Sequence, residues 1–230
     1  MNWRTVYFGL AGTMVCSAGL QAATLIEYVE SEGETMKIWF QGAKMRMEAE
    51  GAYMLMDWEA KKMYIVSPEE GMAMDMSHIF AAQPTGEGGS GPEAVVSKVG
   101  DGPEIAGYDT VHYKISVEGE HCQDIYASKK AYKDLDAEDL FDRIQKLSDS
   151  DMEGMDEWST PCDYAEQGLD FAELGFPMRT EYAESGAFEE VKRIVPDAGQ
   201  PDGGFDVPAG LEIMDMSQMM QYMQRPPGNQ

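Results

Sequence analysis

Basic side chains are scarce: 17 Lys+Arg stand against 42 Asp+Glu, and the formal net charge is −25. That balance excludes a nucleic-acid binder, whose affinity comes from neutralising phosphates, and docking on anionic lipid. Histidine is rarer still, with three copies. No H-E-x-x-H, G-x-S-x-G or P-loop occurs. The histidines are scattered and no base–nucleophile pair stands out, which predicts a protein that is not an enzyme and needs no cofactor. Gly86, Gly88 and Gly91 match G-x-G-x-x-G by spacing, but no strand–turn–helix context surrounds them. Beyond residue 20 no apolar run approaches the ~20 residues a helical span needs, so stable membrane insertion is not expected.

Cysteine is nearly absent too. Of three copies, Cys16 falls in an N-terminal stretch with Arg4 near its start, an apolar run from Val6 to Leu20 and small residues after it. This pattern predicts a signal peptide over 1–22, cleaved after Ala22, and a periplasmic protein. Cys122 and Cys162 then remain, an even count in an oxidising compartment, and a disulfide between them is the natural inference.

What the chain has is alternation. From Thr24 to Ser77, apolar and polar residues alternate in six short runs separated by turn residues: "TLIEYVE", "TMKIWF", "AKMRME", "AYMLMDW", "MYIVS" and "MAMDMS". The pattern predicts an antiparallel meander with one wet and one dry face. A Gly/Pro-rich stretch over 82–94 reads as a mobile loop. Strands resume at "EAVVSKVG", "YDTVHYKISV" and "HCQDIYAS" and again at "PMRTEYA" and "AFEEVKRIV", and "FDVPAGLEIMDM" closes the sheet. Residues 134–149 change period: Leu140, Phe141, Ile144 and Leu147 recur at helical spacing, which predicts one amphipathic helix capped by Asp134 or Asp136. His112 and His121 read as unremarkable strand residues. The tail 224–230 reads as frayed. The expectation is a single mainly β (α+β) domain over 23–223: a strongly curved antiparallel half-barrel of about ten strands, with one main helix packed on its concave face.

"KIWFQGAKMRME", "YMLMDWEAKKMYIVSPEEGMAMDM", "KVGDGPEIAGYDTVHYKIS", "GFPMRTEY" and "FDVPAGLEIMDM" follow one another in this order. The chain resembles, over about residues 24–216, a family of exported bacterial proteins described as a domain of unknown function. That family resembles the LolA/LolB-like superfamily of periplasmic lipoprotein carriers. The resemblance implies a curved sheet closed by helices around an apolar cavity.

Met72, Met74, Met76 and His78 recur at every second position. On a strand they project from one face about 6.8 Å apart, too far for all four to meet on one copper ion. The same alternation recurs at Met45/Met47, Met54/Met56 and Met214/Met216, so it belongs to the face of a sheet. Methionine adapts to variable apolar shapes. The expected site is therefore an apolar cavity lined by Met45, Met47, Met54, Met56, Met72, Met74, Met76, Phe141 and Ile144. Its expected partner is an apolar small molecule, a lipid or a lipid-modified protein. Two alternatives stand beside it: copper binding by the Met72–His78 group, and an envelope structural or interaction module without a small ligand. Asp149, Asp151 and Glu153 begin like a calcium-binding loop, but Thr160 occupies the position of the closing glutamate.

Overall fold

Tight turns organise the first half of the chain. In the computed structural model, which describes residues 22–80, 92–138, 140, 141, 143, 160–166 and 169–215, β1 (Ala23–Glu30), β2 (Thr35–Gln41), β3 (Lys44–Ala49), β4 (Ala52–Asp57), β5 (Lys62–Ser67) and β6 (Met72–Asp75) pair consecutively and antiparallel. Two-residue connections join β2 to β3 and β3 to β4. Gly42 takes positive φ (59°) at the first central position of its turn, as a mirror-image hairpin turn requires, and Gly51 (72°) at the second, where a type II turn calls for glycine.

The second half adds β7 (Ala94–Asp101), β8 (Val111–Val117), β9 (Glu120–Ser128), β10 (Phe176–Tyr182), β11 (Phe188–Ala198) and β12 (Glu212–Asp215). Pairing of β11 with β1 stitches the halves into one twelve-stranded sheet, ordered β12-β6-β5-β4-β3-β2-β1-β11-β10-β9-β8-β7. Only β12 runs parallel to its neighbour, β6.

The half-barrel expectation is corrected here. The sheet is mixed and open, with β12 and β7 as its outermost strands among the described residues, so it does not close on itself. No dominant helix lies across it among the described residues. Helix α1 (Lys129–Asp134) has six residues and α2 (Phe171–Leu174) four. The predicted 134–149 helix begins only after Asp136, and a separate short helix, α1, precedes it. Ser128, not Asp134 or Asp136, caps α1, its hydroxyl accepting the Ala131 N–H. Asp136 has φ of 50° and breaks the helix, which resumes at residues 137, 138, 140, 141 and 143. A LolA/LolB-like architecture is therefore not observed. The signal-peptide stretch, residues 82–91, Ile144, Asp149, Asp151, Glu153 and the 224–230 tail lie outside the described residues. Ala94, expected in the loop, already belongs to β7.

Register decides which side chains share a face. Phe40, Met45, Met56 and Met63 align across β2–β5; Ile38, Met47, Met54, Ile65, Met74 and Met214 align one pair further along. Only Ile38, Met45 and Met56 of this cluster are buried. On the opposite face Leu55, Val66 and Ala73 form a separate core, covered by Val207 and Leu211. Arg46 fastens that cover. Its guanidinium donates to the carbonyls of Asp202 and Gly204, both at 2.8 Å, pairs with Glu48 and stacks on Tyr53.

Candidate functional site

On the methionine face, between β1–β3 and β9–β11, lies a cleft of about 390 Å³. Aromatic side chains form much of its wall. Phe141 stacks on Phe171 at 4.5 Å between ring centroids, and Phe176 tilts against Phe141 at 5.7 Å. Tyr28 of β1 and Tyr182 of β10 line the same space, with Met36, Ile38 and Met47. Alternation along each strand places these residues inward, because residues two apart share a face.

Two carboxylates, Glu166 and Glu189, also line the cleft. Glu189 faces Glu30 directly across the β1–β11 pair, a like-charge arrangement that opposes pairing. Among the described residues neither Glu30, Glu166 nor Glu189 has an ionic partner; the nearby arginines are engaged elsewhere, Arg193 with Glu27 and Arg179 with Glu181 and Glu190. Desolvation, then the Glu30 charge, pushes the Glu189 carboxyl above the ordinary glutamate range. Glu166 is exposed at the rim, yet enough protein surrounds it that desolvation, followed by the Glu189 charge, raises it too. The Tyr28 and Tyr182 hydroxyls are raised by desolvation and then by Glu189.

A raised carboxyl pKa means that the fold favours the protonated form. The resulting stability is present below the ordinary glutamate pKa and is lost as pH rises through the elevated one. Glu189→Gln is therefore expected to raise the melting temperature by about 2 °C at pH 8. The gain shrinks to nothing near pH 4. Thermal unfolding followed across this range checks it, and a gain that stays constant with pH would refute the assignment.

The Cys122–Cys162 disulfide is formed, joining β9 to the 3-10 turn Pro161–Tyr164. It thereby holds Glu166, two residues past that turn, at the cleft.

Of the side chains expected to line an apolar cavity, Met47 and Phe141 reach this cleft; Met45, Met54, Met56, Met72 and Met74 do not line it. Met72 and Met74 lie on β6, which ends at Asp75. Met76 is beyond the strand, its N–H donating to the Met63 carbonyl at 2.8 Å. His78 is exposed on a 3-10 turn, so these four do not share one strand face. Among the described residues no group of three or more His, Cys, Asp or Glu side chains is arranged to hold a metal ion. The expected apolar partner, whether small molecule, lipid or lipid-modified protein, is corrected by the same geometry. The sheet is open rather than closed around a methionine chamber. The cleft it does form carries two carboxylates, whose charged forms an acyl chain would desolvate without compensation.

His112 and His121 prove to be engaged: both Nε2 atoms approach the Asp124 carboxylate, at 2.6 and 2.8 Å, and His112 stacks on Tyr126. Nothing in the sequence marks Glu166, Glu189, Tyr28 or Tyr182. Glu30 and Glu189 are brought together by the pairing of β1 with β11, strands at opposite ends of the chain.

A family model described as "Domain of unknown function (DUF4412)" matches residues 20–211. The chain belongs to this DUF4412 family. No curated protein matches its sequence. Among solved structures, an uncharacterized conserved protein from Thermus thermophilus shares 9% identity over 85% of this chain and 91% of that one, with a TM-score of 0.44. MucB shares 9% identity over 84% of this chain and 59% of that one, at a TM-score of 0.31. The Pseudomonas aeruginosa MucA/MucB complex gives 10%, 84%, 58% and 0.32. This DUF4412 chain thus spans less than two thirds of MucB. At these scores and identities the likenesses carry no argument about what it binds.

Proposed function

We propose that this DUF4412 protein is a non-enzymatic module of the bacterial envelope that binds a protein partner along the edge of its sheet. The observation that carries this reading is β7. It is the outermost strand, eight residues long, and Val95, Val96 and Val99 are 57%, 39% and 59% exposed. Outer strands are ordinarily short, charged or covered, because their unpaired backbone groups template further pairing. In β7 the one basic side chain is Lys98, and a bulge between Lys98 and Gly100 kinks only the far end. The stretch Ala94–Lys98 is left as a straight edge to which a partner strand can add. Exposed Glu93, Glu118 and Glu120 flank its start, in a chain of net charge −25. The charge favours an extended partner segment with basic residues beside alternating apolar ones. An exported location fits the Cys122–Cys162 bridge, since such bridges persist in oxidising compartments.

The test is a photo-crosslinking residue placed at Val95 in the native envelope. One discrete heterologous adduct is expected, and Val96→Pro, which removes a backbone donor and blocks added pairing, is expected to abolish it. Absence of an adduct, or an adduct equally strong from Lys192 on β11, would count against the edge as the binding surface.

A further inference from the structure

We infer that the aromatic and acidic cleft between β1 and β10 is a receptor for an arginine side chain of the partner protein. The assignment rests on the reading of the chain as a protein-binding module, and it names a second contact, separate from β7. Three observations converge on it. The cleft, about 390 Å³, has room for a long side chain. Its walls present the rings of Tyr28, Phe141, Phe171 and Tyr182, and ring faces attract cations through their quadrupoles. Glu166 and Glu189 stand beside those rings without an ionic partner among the described residues, although Glu189 already faces Glu30 across the strand pair.

A chain that gathers like charges and leaves them unmatched within its own fold gains when a cation arrives from outside. Guanidinium suits the site better than ammonium. It is planar, stacks on aromatic faces, offers donors to two carboxylates at once and is less strongly hydrated. Its methylene stem would lie along Met36, Ile38 and Met47. The elevated carboxyl pKa values are consistent with groups awaiting a counter-charge.

The probes are N-acetylarginine methylamide and its uncharged isostere, N-acetylcitrulline methylamide, titrated against full-length protein carrying 13C-methyl methionine. The arginine probe is expected to shift the Met36 and Met47 methyl resonances with a Kd of about 1 mM, ordinary for a fragment of this size. The citrulline probe is expected to leave them unmoved. The double variant Glu166→Gln/Glu189→Gln is expected to weaken the arginine response about tenfold while keeping the native spectrum elsewhere. N-acetyllysine methylamide, run in parallel, is expected to bind more weakly than arginine. Equal shifts from arginine and citrulline would overturn the inference, as would methyl resonances that never respond. If the cleft is inert while the Val95 adduct forms and Val96→Pro abolishes it, the edge-binding reading stands and only the arginine receptor falls.

Discussion

Replacing both Cys122 and Cys162 with alanine is expected to lower the melting temperature by about 10 °C. The bridge closes a loop with a sequence separation of 40, and restricting a loop of that length in the unfolded chain is worth about 4 kcal/mol in the chain-entropy model. For a domain of this size each kcal/mol moves the midpoint by about 2–4 °C. The bridge also serves as a local tether. Cys122 is buried with Ile115, Val117, Ile125, Ala165, Leu169 and Leu174, so the turn at Pro161–Tyr164 is held against β8 and β9 by one covalent bond and that packing. Calorimetry of the wild type with and without reductant, beside the double variant, checks the expectation. Reductant should lower the wild-type midpoint and leave the variant unchanged. A variant that melts within about 2 °C of the oxidised wild type would refute it.

Gly175→Ala is expected to destabilise by about 3 kcal/mol or more, combining backbone strain with overpacking. Gly175 ends α2 and leads into β10 with φ 108° and ψ 179°, a conformation essentially reserved for glycine. Space is forbidding as well. A Cβ there would lie 2.6 Å from the Lys129 nitrogen and the Ser128 carbonyl carbon, backbone atoms at the junction of β9 and α1. Backbone cannot swing aside as a side-chain tip can. Gly186 supplies the control: it too has positive φ, 68°, but nothing lies within 4 Å of where its Cβ would fall. Gly186→Ala is expected to cost only the conformational penalty, about 1–2 kcal/mol. Chemical denaturation of the two variants distinguishes them. Equal losses would show that crowding at Ser128–Lys129 plays no part.

The six strands of the opening meander are legible from alternation because hairpins pair residues that are close in sequence. Glycine turns then fix the register locally. Curvature was not legible. Whether twelve strands close or stay open depends on what the last strands pair with, and β12 returns to β6 in parallel rather than meeting β7. The helix period over 134–149 was visible, but the break at Leu135–Asp136 was not, since it arises where the backbone leaves α1 with Asp136 at positive φ. The methionine face was legible in composition. Its partner was not, because Met36 and Met47 are the methionines of that face that line the cleft, beside Ile38. The remaining wall comes from Tyr28 of β1, from β9–β11, from Phe141 and Phe171, and from Glu166 past the Pro161–Tyr164 turn.

By itself the sequence determined the acidity of the chain, the candidate cysteine pair, the turn-punctuated strands and their alternating thioethers, since all four are set by residue type or by neighbours in the chain. Tertiary structure alone decided the open edge at β7, the glycine forced at 175 and the meeting of Glu30, Glu189 and Glu166 beside two tyrosines. Those features depend on contacts between segments far apart in the chain, as when β11 docks on β1 and sets Ala23 opposite Ala198. No local pattern of alternation carries that information.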